Sequence, residues 1–105
     1  MSEVLEPDIA GVTFDAVLSA LADPVRLTFV RGLDAVGDWV CGSDVLHDTG
    51  VTIGKSTLSH HVRVLREAGL IHTRVAGTRR LVVLRYADIE QRFPGLLNLL
   101  RLDAA

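Results

Sequence analysis

Sixteen residues near the middle of the chain, KSTLSHHVRVLREAGL from Lys55 to Leu70, set the terms for the rest. At 100° per residue, Leu58, Val62 and Leu65 fall within about 60° of one another, while Ser56, His60 and Arg63 lie on the opposite face, flanked by Thr57, Ser59 and Val64. The pattern predicts an amphipathic helix with one side for a core and the other for water or a polar partner. Gly69 stops it, because glycine takes the left-handed conformation that closes a helix. Two β-prone runs follow at once, Ile71–Val75 and Arg80–Arg85, joined by Ala76-Gly77-Thr78-Arg79. They predict a hairpin with a basic, glycine-containing tip.

Upstream, residues 1–11 contain Pro7 and Gly11 and read as a flexible N-terminal arm, leaving 12–105 as one domain. Thr13 is placed to cap a helix with Val17, Leu18 and Leu21 on one face. Asp23-Pro24 opens a second: Asp caps, and Pro at the first helical position loses only an amide hydrogen that has no partner there. Leu27, Val30 and Leu33 point inward, and the helix ends near Gly37. Trp39-Val40-Cys41 is a short apolar stretch. Ser43 starts a brief helix with Val45 and Leu46, and Thr49 to Gly54 is a turn. After the hairpin, a helical segment begins near Tyr86, breaks at Pro94-Gly95 and resumes at Leu96. A short helix, a turn and a second helix with a polar outer face make a helix-turn-helix, and a hairpin directly afterwards makes it winged. The expected fold is mainly α with a small β-hairpin.

Composition narrows the class further. With 105 residues, 49% hydrophobic and 23% charged, this is one globular domain and not a disordered chain. The longest aliphatic run, Leu81-Val82-Val83-Leu84, is far short of the ~20 apolar residues of a membrane span. The acidic start MSEVLEPDIA lacks an export pattern, so the expected location is the cytoplasm, with no membrane partner. One cysteine excludes an internal disulfide and a four-thiolate zinc site. The mean hydropathy of +0.33 is high for a chain that buries only about 60–65% of its unfolded surface, which points to a second subunit covering the excess.

A net charge of −2 conceals an asymmetry. Between Lys55 and Arg85 there are seven cations (Lys55, Arg63, Arg66, Arg74, Arg79, Arg80, Arg85) and one carboxylate, Glu67, a net +6. The remainder holds four cations and twelve acids. A pI near 6.0 therefore describes no part of the molecule, and the basic segment is an electrostatic footprint for a polyanion, the alternative being a solvated face.

Two stretches resemble a family. LADPVRLTFVRGL (21–33) and STLSHHVRVLREAGLIHTRVAGTRRLVVLR (56–85) are similar to the arsenic-repressor type (ArsR) family of winged-helix transcriptional regulators. The first carries that family's Asp-Pro-x-Arg entry to its second helix. The second carries its Ser-x-x-Ser-x-His-(Leu/Val) recognition helix, with Leu-Arg-x-Ala-Gly-Leu leading into the wing. The likeness covers roughly residues 15–86. It implies a homodimeric repressor, released from a near-palindromic operator in double-stranded DNA by an unidentified effector. It also implies that the first and last helices form the dimer interface, which singles out Val17, Leu18, Ile89, Phe93, Leu96, Leu97 and Leu100; packing within the protomer is the other reading of that stripe. The alternative function is a winged-helix protein–protein interaction module that does not bind DNA.

A helix entering a major groove needs short hydrogen-bonding side chains near its N-terminus and cations at its edges. Ser56, Ser59, His60 and Arg63 are the candidates for base edges, and Lys55 and Thr57 for phosphates. Arg79 and Arg80 at the hairpin tip suit phosphates or a minor groove. Arg74 and Arg85 read as partners for carboxylates. His61, at the edge of the buried stripe, reads as a packed, hydrogen-bonded histidine in preference to a DNA contact. His72 is expected to point to solvent, and His47 has no assigned role.

Other chemistries fit less well. Gly50-Val51-Thr52-Ile53-Gly54-Lys55-Ser56 nearly spells a phosphate loop, but has three residues between its glycines where the motif needs four. Many members of the resembled family bind metal through Cys-x-Cys at the start of the third helix; here Trp39 stands where the first cysteine would be. No histidine follows His72, so the C-terminal metal pattern is missing too, leaving only a site shared across a dimer by Cys41 and His47. Cys41 is a possible redox thiol, with an inert core cysteine the preferred reading. No cofactor motif and no nucleophile–base pair stands out, so an enzyme is not expected.

Overall fold

A computed structural model of the protein describes residues 6–102. Local capping behaves as the residue types demand. Thr13 Oγ1 accepts from the Ala16 N–H at 3.3 Å to start α1 (Phe14–Leu21). Asp23 Oδ1 accepts from the N–H groups of Val25 and Arg26 at 2.8 and 3.0 Å to start α2 (Pro24–Val36), with Pro24 in the first turn. Gly37 ends α2 at φ 73°. Val30 and Leu33 are buried as expected and Leu27 only half-buried. Phe29, which the apolar pattern passed over, is fully buried beside them.

The hairpin is part of a larger sheet. β1 (Val40–Cys41) is the short apolar stretch after α2, and it pairs antiparallel with β3 (Arg79–Leu84), Val40 opposite Val82 and Cys41 opposite Leu81. β2 (Ile71–Ala76) pairs along the other edge of β3, from Ile71 opposite Leu84 to Ala76 opposite Arg79, so the strand order is β1-β3-β2. The turn is Gly77-Thr78 alone, with Gly77 at φ 65°, because a two-residue hairpin turn needs positive φ to follow the strand twist. Arg79 therefore sits in β3 and not in the turn.

The brief helix expected from Ser43 does not form as an α-helix. Gly42–Asp44 make one 3-10 turn, and residues 45–50 continue as turns, although Leu46 is buried. The Thr49 hydroxyl donates to the Leu46 carbonyl at 2.7 Å and accepts from the Val51 N–H at 3.3 Å, local bonds that compete with a helical ladder.

α3 (Lys55–Glu67) covers the amphipathic segment and stops where Gly69 takes φ 88°. A Cβ there would collide with the side chain of buried Val12, so the position needs glycine for its dihedral and for its close approach. α4 (Tyr86–Arg92) and α5 (Leu96–Arg101) are separated at Phe93-Pro94-Gly95. One core, centred on Phe29, Leu33, Leu65, Leu70, Ile71 and Val82, joins the helices to the sheet.

Two expectations change in this setting. Val17, Ile89 and Leu97 are fully buried inside the protomer and Leu96 nearly so, so these four of the expected dimer residues hold their own core. For Leu96 and Leu97 the cause is the docking of α5 on α2: Arg31 Nε donates to the Leu100 carbonyl at 2.8 Å, and Arg101 makes a two-pronged pair with Asp34 at 2.7 and 2.8 Å. Phe93 and Leu100 are half-buried, and Leu18 is exposed. Of the flexible arm expected over 1–11, residues 1–5 lie outside the described residues, and residues 6–11 are tied down. Glu6 accepts from the Thr73 N–H at 2.8 Å, Pro7 O accepts from Arg85 Nη1 at 2.8 Å, and Asp8 caps a 3-10 turn over Ile9–Gly11.

Candidate nucleic-acid interface

α3 divides along its length as its sequence dictates. Val62, Leu65 and His61 are buried, Leu58 and Val64 are half-buried, and Lys55, Ser56, Thr57, Ser59, His60 and Arg63 are all exposed. Gly54 contributes no side chain to cap the helix, so its leading N–H groups stay open to an outside acceptor. Arg79 and Arg80 are exposed on the wing, and Arg79 reaches Asp44 only loosely, at 4.0 Å. A cleft of about 450 Å³ separates helix from wing, with Lys55 and Ser59 on one wall, Arg79 and Arg80 on the other, and Val62 and Val82 at its floor. Those four polar candidates share the cleft. Ser56, Thr57, His60 and Arg63 do not line it and continue along the exposed face of α3.

Most of the other cations are already engaged; the exception is Arg66, half-buried on α3, whose buried Nε has no partner among the described residues. Arg26, Arg31, Arg85, Arg92 and Arg101 donate to oxygens or a ring nitrogen of the chain. Arg85 is buried and pairs with Asp88 at 3.1 Å, a carboxylate partner as expected. Arg74 has a different one: its guanidinium lies 4.3 Å over the Trp39 ring. Lys55, Arg63 and Arg80 make no hydrogen bond or ion pair among the described residues, which leaves their charge available to a polyanion.

The histidines separate by environment. His61 is packed and hydrogen-bonded, its Nδ1 3.1 Å from Arg26 Nη1. Burial holds its proton affinity below the ordinary value; the Asp23 carboxylate opposes that, while Arg26 and His60 add to it. His72 does not simply face solvent: its Nδ1 lies 2.6 Å from Glu6 Oε1 and holds the N-terminal segment to β2. His47 is exposed beside Asp48. Cys41 is half-buried and lines the cleft, so it lies outside the buried core. Hydrogen bonding to Ser43, whose Oγ is 3.2 Å away, lowers the proton affinity of its sulfur. Sequence reasoning missed the bond from Arg26 to His61. Both motifs are visible in the chain, but nothing in either announces a contact across 35 positions.

An exposed polar helix whose apolar back is seated in the core, beside a wing with exposed arginines, defines a winged helix-turn-helix DNA-binding protein. Residues 49–73 match the profile of the bacterial regulatory proteins of the arsR family. The HTH-type transcriptional regulator YceK of Bacillus subtilis (strain 168) is 33% identical over 84 residues, 80% of this chain and 82% of that protein. The crystal structure of the transcriptional repressor BigR from Xylella fastidiosa superposes with a TM-score of 0.62 at 31% identity, covering 83% of this chain and 81% of that one. The structure of a possible transcriptional regulator for arsenical resistance gives a TM-score of 0.62 at 26% identity, covering 88% and 90%. The chain belongs to the ArsR family and is a DNA-binding transcriptional regulator. That family is one of regulators and not of enzymes. Among the described residues no helix is long and apolar enough to cross a membrane.

Proposed function

We propose that the protein is a homodimeric repressor of the cytoplasm that binds a near-palindromic operator and leaves it when an effector binds. In this reading Ser56, Ser59, His60 and Arg63 meet base edges, and Lys55 and Thr57 meet phosphates. Arg79 and Arg80 grip the backbone or minor groove beside the site. The observation that carries it is the set of exposed, unpartnered cations, Lys55 and Arg63 on α3 and Arg80 on β3, in a chain whose other arginines are mostly spent on its own oxygens or, like Arg66, half-buried. The dimer reading is supported by an apolar surface at the first and last helices, where Phe14, Leu18, Leu99 and Leu102 are 49%, 46%, 63% and 81% exposed. Phe14 packs on Phe93 with ring centroids 5.3 Å apart, which extends that surface across the break between α4 and α5.

The test is fluorescence anisotropy with duplex DNA from the protein's own promoter region across a salt series. Binding should be tighter than to random duplex and should weaken steeply with salt, as counterion release requires. No binding to any duplex in dilute buffer would defeat the reading. The family assignment disfavours the protein-docking alternative.

A further inference from the structure

Two motifs 35 positions apart meet at one hydrogen bond. Arg26 closes the Asp-Pro-x-Arg of residues 23–26, and His61 closes the Ser-x-x-Ser-x-His of residues 56–61. The arginine is held from three sides. Its N–H is bonded by Asp23 Oδ1 at 3.0 Å, its Nε donates to the Ala20 carbonyl in the last turn of α1 at 2.7 Å, and its Nη1 lies 3.1 Å from His61 Nδ1 on α3. A guanidinium only donates, so Nδ1 must accept, and the imidazole is neutral with its proton on Nε2. His61 is buried on the inward face of α3, whereas its neighbour His60 faces out.

We propose that Arg26 and His61 are positioning residues for DNA recognition: the guanidinium fixes α3 against α1, and does so only while His61 is unprotonated. The proposal rests on the DNA-binding reading above and adds a condition to it. A proton on Nδ1 would set two cations face to face at 3.1 Å. The charged and titratable groups facing His61 are Asp23 at the head of α2, whose carboxylate favours the proton, and Arg26 and His60, which oppose it. Burial opposes it most, and the balance keeps His61 below its ordinary 6.5. The unfolded chain takes the proton at the ordinary value and the folded one resists. The stabilisation is therefore complete above about pH 6.5 and declines as pH falls below it. DNA affinity declines in the same direction.

His61→Asn isolates the effect. The Asn amide oxygen stands as far along the side chain as Nδ1, accepts a hydrogen bond, and does not titrate. Promoter-region affinity is measured from pH 7.5 to 5.5 for wild type, His61→Asn and His61→Phe. At pH 7.5 His61→Asn should bind within about threefold of wild type, while His61→Phe, which strands the guanidinium, should lose about tenfold or more. As pH falls, wild type should weaken relative to His61→Asn by up to about tenfold per pH unit. Superimposable pH profiles for wild type and His61→Asn, or full affinity in His61→Phe, would overturn the proposal while leaving DNA binding intact. No wild-type binding at any pH would sink the DNA reading and this proposal with it. Should His61→Asn not fold, ¹⁵N chemical shifts of the wild-type imidazole decide: an Nε2–H tautomer titrating below pH 6.5 supports the bond, and an Nδ1–H tautomer refutes it.

Discussion

Arg63 stands on the exposed face of α3 with no partner among the described residues, so its charge is available to an outside ligand. If it reads a base, Arg63→Ala should cost about 1–3 kcal/mol of operator affinity and much less on random duplex. Equal losses on both DNAs in an anisotropy titration would reassign it to phosphate. Glu6 is the contrasting case, a carboxylate spent on structure. Burial pushes its proton affinity up, but the hydrogen bonds from His72 and the Thr73 N–H outweigh that and hold it below the ordinary 4.5. Its contribution is present above that pH and is lost as the pH falls through the lowered value. Glu6→Gln should lower stability at neutral pH by about 1 kcal/mol and flatten the acid limb of the melting curve. An unchanged acid limb in thermal scans would remove Glu6 from that role. Residue identity makes the exposed face of α3 readable. It does not separate His72, which meets a carboxylate 66 positions away, from an ordinary surface histidine.

Elements whose ends are set by neighbouring atoms are legible in the amino-acid order. Thr13, Asp23-Pro24, Gly37, Gly69 and Pro94-Gly95 each act within a few residues of themselves, and each marks a boundary where expected. Asp23→Ala should therefore cost about 0.5–2 kcal/mol in urea unfolding. Gly69→Ala should cost more, at least about 2 kcal/mol, because the left-handed dihedral and the Val12 approach both penalise a Cβ. A wild-type-like midpoint for Gly69→Ala would mean that the end of α3 relaxes freely. The 3-10 turn at Gly42–Asp44 and the pairing of β1 are not legible in this way, since a two-residue strand exists only because β3 offers it an edge. On the wing, Arg80→Ala should reduce the slope of log K against log salt by about 0.9, the equivalent of one phosphate. An unchanged slope would take Arg80 out of the interface.

At the scale of the whole molecule, the apolar residues left on α1 and α5 mark where a second copy is expected. Leu18→Asp combined with Leu99→Asp should convert a dimer to an 11.4 kDa monomer in light scattering, without lowering the helical content of the fold. A wild-type monomer at micromolar concentration would remove the basis for that pairing. Two-fold symmetry would set the recognition helices one DNA turn apart, about 34 Å, and spread the operator over two half-sites.

The amino-acid order alone determined the caps, the two-faced recognition helix, the hairpin and the local excess of positive charge, because all of these arise from neighbours within a turn or two along the chain. Tertiary structure decided which apolar residues serve the protomer core and which remain at its surface. It also decided which cations are spent and which stay free, and that Arg26 answers His61. Those outcomes depend on atoms brought together across tens of residues, and no periodicity or spacing in a linear chain encodes such a meeting.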